Sequence, residues 1–180
     1  TDAVGETANS LYSANIVVNS APTATFLIPS NTVLDSGQYV TYNVVITGGT
    51  LPITANLVLI GNTVPLQING VNAIPGTTYS TIVLPSSGSP AANVMTFNSL
   101  ELVASSNGFV TFNVIAFDDA STPVPFNAVA NTIIINPVVG FTALASRPLI
   151  DQGQIQSINA IIYGGTSPYT YNFLVYNSIA

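Results

Sequence analysis

The residues able to do chemistry in this chain are few. It has no histidine, no cysteine and no lysine, and Arg147 is its one cation. Imidazole general bases, thiolates and amine nucleophiles are thereby excluded. The acids are Asp2, Glu6, Asp35, Glu101, Asp118, Asp119 and Asp151. Two carboxylates flanking one bond can hydrolyse a glycoside. Only Asp118 and Asp119 are local neighbours, and successive residues of a strand point to opposite faces. The serines have no base to activate them. The expectation is a protein that is not an enzyme and holds no organic cofactor.

Two weaker chemistries remain. Calcium takes 6–8 oxygen ligands, usually several of them carboxylates. The candidates are Asp118, Asp119 and Asp151 with backbone carbonyls, although their spacing matches no calcium loop. The competing reading is solvated loop acids that keep strand ends from mispairing. Tyr163, Tyr169, Tyr171 and Tyr176 offer flat rings on which a glycan could stack. The competing reading is core and cross-strand aromatics. Gly48-Gly49 and Gly164-Gly165 read as turn glycines rather than a phosphate loop, because no helix follows them. No N-x-[ST] sequon occurs, so conventional N-glycosylation of these residues is not expected.

The elements that would position such residues have an unusual surface. Only 4% of the 180 residues are charged, against about 25% in ordinary domains. Net charge is −6 without a basic patch, which argues against nucleic acid and against docking on anionic lipid. No apolar run approaches the ~18 residues of a membrane-spanning helix. Disulfides and Lys–Asn isopeptide links are excluded by composition. Acid unfolds proteins mainly by protonating paired carboxylates and charging buried histidines. A chain with so little to titrate is expected to tolerate acid; a merely Thr/Asn-rich module is the alternative. Arg147 reads either as a solvated charge or as a bridge to an acid of a neighbouring repeat.

Self-similarity organises the chain. "LDSGQYVTYNVVITGGTLPITANLVL" (34–59) matches "IDQGQIQSINAIIYGGTSPYTYNFLV" (150–175) without a gap at an offset of 116. Asp35 falls on Asp151, Gly48-Gly49-Thr50 on Gly164-Gly165-Thr166, and Pro52 on Pro168. "ANIVV-N" (14–19) matches "ANTIIIN" (130–136) with Asn19 on Asn136, at an offset of 117. The division this predicts is 1–21 as the closing strand region of a preceding repeat, 22–137 as a complete repeat, and 138–180 as the head of a following one. Asn15, Ile16, Val17 and Val18 are expected to lie in a strand paired with the preceding repeat or with another subunit. Gly48, Gly49, Pro52, Gly164, Gly165 and Pro168 mark the recurring hairpin.

Apolar alternation at period 2 dominates and no segment has a helical period. Strands are expected at 23–28, 38–47, 54–60, 64–68, 78–84, 93–103, 109–117 and 130–136. Val40, Tyr42, Val44 and Ile46 should face the core, as should Val110, Phe112 and Val114. Thr41, Asn43 and Thr111 should face water. Seven or eight such strands predict an all-β, antiparallel sandwich.

The combination of "D-x-G-Q", a strand, "GGT-x-P-Y-T-Y", a second strand and "NGFVTFNVIAFDD" resembles the immunoglobulin-like and PKD-like repeats of prokaryotic surface proteins. The "GGTSPYTYNFLVYN" variant on a nearly lysine-free background is most similar to repeats in archaeal surface proteins, acidophiles among them. The first copy departs from that motif, with "LPITAN" where the second has "SPYTYN". The resemblance implies immunoglobulin-like sandwiches in tandem and an extracellular, cell-surface location. Its implied partners are adjacent repeats or identical subunits of a stalk or filament. The alternative is an adhesive, glycan-binding module carried on such a stalk.

Overall fold

A computed structural model describes residues 18–27, 29, 31–86, 93–119 and 126–174. The protein is all-β, with twelve strands among these residues. Five build one sheet: β1 (Thr23–Leu27), β3 (Gln38–Thr47), β8 (Asn93–Ala104), β5 (Leu66–Ile68) and β6 (Val71–Asn72), adjacent in that order. Five build a second: β2 (Val33–Asp35), β10 (Phe126–Asn136), β9 (Gly108–Asp118), β4 (Ile53–Asn62) and β7 (Thr78–Leu84). β11 (Gly140–Ala145) and β12 (Ile158–Tyr163) form a separate antiparallel pair.

The two large sheets share one core, because alternation turns one face of each strand inward. Val40, Tyr42, Val44 and Ile46 of β3 are buried against Val110, Phe112, Val114 and Ala116 of β9, with Ile53, Ala55, Leu57 and Leu59 of β4 beside them. The predicted inward faces of β3 and β9 are thus the observed ones. β3 and β7 have the predicted bounds. β4, β8, β9 and β10 run longer than the periodicity indicated, and β5 is shorter.

Thr41, Asn43 and Thr111 are half-buried rather than open to water. The outer faces are laced by uncharged cross-strand hydrogen bonds. Thr23 bonds Thr47 (2.6 Å), Thr96 donates to Asn43 (2.8 Å), Thr81 donates to Asn56 (2.7 Å), and Thr111 bonds Thr132 (3.1 Å). Every one of these is a directly opposed pair in its ladder, where side chains approach most closely. None of the four titrates.

Three features depart from the sequence reading. β2 pairs with β10 in parallel, Leu34 opposite Ile135, in an otherwise antiparallel fold. A three-residue strand is too short to show a period. β6 was not foreseen either; it closes a tight hairpin with β5 through Asn69-Gly70, both at positive φ (50° and 76°), the backbone that Asn-Gly favours. The total of ten strands in two sheets therefore exceeds the seven or eight expected.

Tyr42 is the largest fully buried side chain. Its ring meets Phe26 edge-on (5.8 Å, 72°) and Phe112 at a tilt (5.3 Å, 59°). Its hydroxyl has no hydrogen-bond partner among the described residues. Burial pushes its pKa far above the ordinary tyrosine value. The ionised form then exists only in the unfolded chain, so Tyr42's contribution is whole below about pH 10 and falls as pH rises beyond it, by about 1.4 kcal/mol per unit. Tyr42→Phe is expected to raise stability at pH 7 by about 1–3 kcal/mol, by removing an unsatisfied buried hydroxyl. It should also flatten this part of the alkaline slope. Urea melts of both proteins at pH 7, 10.5 and 11.5 test this; equal slopes would contradict it.

Candidate functional site

The recurring hairpin glycines define the site. Gly48 and Gly49 follow β3 with φ of 72° and 82°; Gly164 and Gly165 follow β12 with 68° and 64°. Two successive left-handed residues expose a bare backbone, and the incoming chain crosses it. A Cβ on Gly48 would sit 2.5 Å from the Ala21 carbonyl oxygen, and one on Gly164 would collide with the Val138 carbonyl. Gly49 N–H donates to Ser20 O (2.9 Å), and Gly165 N–H donates to Pro137 O (2.7 Å).

The next residue carries the side-chain contact. Asn19 Nδ2 donates to Thr50 Oγ1 (3.2 Å), and Asn136 Nδ2 donates to Thr166 Oγ1 (3.0 Å). These partners are related by the offsets found in the sequence. Thr166 Oγ1 in turn donates to Asp35 Oδ1 (2.7 Å), a residue 131 positions away. Asp35 lies opposite Asn136 in the β2–β10 pair, so one sandwich end presents both groups to the turn.

The register recurs too. Thr23 opposes Thr47 across β1 and β3, and Gly140 opposes Tyr163 across β11 and β12. The corner before the second strand has the same local form. Asp35 N–H donates to Gln38 Oε1 (2.9 Å) with Gly37 at φ 88°; Asp151 N–H donates to Gln154 Oε1 (3.1 Å) with Gly153 at φ 85°.

The predicted acids do not converge. Asp118 is 9% exposed, and its Oδ2 accepts the Thr50 N–H (3.0 Å). Asp119 is exposed, and its own N–H donates to Thr50 O (2.9 Å). The pair thus splits between two faces and braces the first glycine turn. Asp151 lies at the other corner. Among the described residues no three of His, Cys, Asp or Glu gather to hold a metal. Arg147 is exposed, and its carbonyl accepts from Gln156 (2.7 Å).

Two of the aromatic candidates, Tyr169 and Tyr171, line an apolar groove of about 530 Å³, together with Phe141, Ala143, Ala160, Ile162 and Phe173 among others. Tyr171 and Phe173 meet edge-on at 5.6 Å. Tyr169 donates its hydroxyl proton to Gly164 O (2.5 Å), which fixes its ring to the turn. Tyr163 packs over Gly140. Tyr176 lies outside the described residues, as do Asn15, Ile16 and Val17; Val18 is 85% exposed.

The lining occupies positions that match, in sequence, residues packed in the core of the two large sheets. By the same offsets, Ala143 replaces Phe26 and Ala160 replaces Val44, while Tyr171 replaces Ala55 and Phe173 replaces Leu57. Phe141 replaces Ala24 on the same strand as Ala143, so that exchange is local, and the volume lost at Ala160 is regained at Tyr171 and Phe173. Cores tolerate changes that keep total volume, so the groove has the composition of half a core.

No protein-family model matches the chain, and no curated protein matches it at a significant level.

Proposed function

We propose that the chain is part of a structural, extracellular tandem-repeat protein, a stalk or filament of immunoglobulin-like sandwiches without catalysis. One observation carries this reading: the glycine-turn joint of residues 19–50 recurs at 136–166 with the same donors and acceptors. The strand order supports the immunoglobulin-like assignment. β1-β3-β8-β5 correspond to one sheet of that fold and β4-β9-β10 to the other. β7 extends the second sheet, although it follows β5 and β6 in the chain. Cell-surface life in acid accords with outer faces held by Thr and Asn pairs rather than ion pairs.

The groove at Tyr171 and Phe173 favours a second reading, an adhesive module that stacks on glycans. Two measurements separate the readings. Melting temperature should stay within a few degrees from pH 2 to pH 8, and a steep fall between pH 5 and pH 3 would defeat the acid-adapted stalk. Glycan-array binding that is lost in Tyr171→Ala would transfer the proposal to the adhesive module.

A further inference from the structure

Three groups that differ in origin meet at one point: the end of β10 (Asn136), the end of β2 (Asp35) and the turn after β12 (Thr166). We infer that they form a recurring joint that sets the angle between successive sandwiches. Among the described residues Thr50 and Asp151 are its two open halves, each shaped for a further copy of the same repeat. The inference rests on the tandem-repeat reading and names its contact surface.

In the complete joint the Thr166 hydroxyl accepts from Asn136 and donates to Asp35. Its hydrogen-bonding capacity on that side is thus used in both directions. In the upstream joint Thr50 accepts from Asn19 in the same way. The residue corresponding to Asp35 would belong to a sandwich preceding Val18. At the other end, Asp151 repeats the Asp35 corner, with Gly153 and Gln154 in the same local arrangement. Among the described residues no threonine donates to it; its Oδ2 accepts a long contact from Gln154 (3.4 Å). The partner that fits Asp151 is therefore a Gly-Gly-Thr turn. The partner that fits Thr50 is a carboxylate on a D-x-G-Q corner beside the end of a closing strand.

Single exposed hydrogen bonds contribute little alone. Here two, Asn136–Thr166 and Thr166–Asp35, act across a connection of only Pro137, Val138 and Val139, which already passes against Gly164 and whose Pro137 carbonyl accepts the Gly165 N–H. A proline-containing linker this short has few orientations to select from, so a few directed contacts suffice to choose one.

The chain has no cysteine, so spin labels can be placed freely. Labels at the exposed positions Asn127→Cys and Asn159→Cys report the distance across the joint by pulsed electron resonance. Thr166→Val, which keeps the shape and removes the hydroxyl, should at least double the width of the distance distribution. Asp35→Ala should do the same, and Thr50→Val should leave it unchanged. An unchanged width in Thr166→Val overturns the joint.

The open half is tested by lengthening the chain after Ala180 with a second copy of residues 65–180, which continues the 116-residue offset. Asp151→Ala should broaden the distribution across the second joint of the longer protein, labelled at the same positions of the added copy. In the 180-residue chain it should change nothing. A folded longer chain indifferent to Asp151→Ala overturns the open half-joint and leaves the repeat reading standing. A longer chain that gains no second cooperative unfolding unit overturns both.

Discussion

Phe112→Ala should lower the unfolding free energy by about 3–5 kcal/mol, the usual cost of emptying a buried aromatic site. Small domains have only about 5–15 kcal/mol in total, so this one change should bring the sandwich close to its limit. Phe112 is fully buried at the centre of the core and touches both Tyr42 and Tyr79, the latter edge-on at 6.4 Å and 89°. It therefore joins β9 to β3 of the opposite sheet and to β7 of its own. Phe109 supplies the control on the same strand. It points to the outer face and is 48% exposed, so Phe109→Ala should cost no more than about 1 kcal/mol. Denaturant melts of the two variants would decide the matter. Equal losses would mean that the faces of β9 have been assigned wrongly.

Gly48→Ala should cost more than Gly37→Ala by about 1–3 kcal/mol, although both glycines have positive φ. A left-handed backbone costs any ordinary L-residue about 1–2 kcal/mol, and this part is common to both. A Cβ at Gly37 meets nothing within 4 Å, whereas one at Gly48 lies 2.5 Å from a backbone carbonyl, 2.7 Å from Ser20 Oγ and 2.9 Å from Ser20 O. Backbone cannot swing aside as a long side chain can, so overpacking adds its own cost. The relief available is to lift Ser20 and Ala21 off the turn, which breaks the Gly49–Ser20 hydrogen bond. Paired melts give the difference directly, and equal costs would show that the linker does not press on the turn. Gly164→Ala should have the corresponding effect downstream, where Val138 takes Ala21's place.

Much of this protein was legible in the residues themselves. Alternation at period 2 is a property of the extended backbone, since successive Cβ atoms point to opposite faces whatever lies beside them. That is why the inward faces of β3 and β9 could be read from Val40-Tyr42-Val44-Ile46 and Val110-Phe112-Val114. The turn glycines were equally plain, because a left-handed φ is a local requirement. Asn69-Gly70 carried the same kind of signal, and the β5–β6 hairpin it closes could have been found from it.

Pairing is decided by tertiary structure, because a strand's hydrogen-bond partners come from elsewhere in the chain. Residues 169–174 carry the pattern of β4, yet they are not a strand, while the matching 53–58 are. β4 lies between β9 and β7, and no such neighbours flank 169–174 among the described residues. Likewise 149–151 match β2 in sequence and keep the Asp–Gln corner, but the ladder is absent where no β10 lies beside them. Local geometry thus survives without a neighbouring strand, and the strand does not. The meeting of Asp35, Asn136 and Thr166 is of the second kind. Sequence identified all three as repeated positions, but their contact spans 131 residues and depends on the parallel seat of β2 on β10. No periodicity within a single strand can encode that, because it is fixed only when both sheets close on one core.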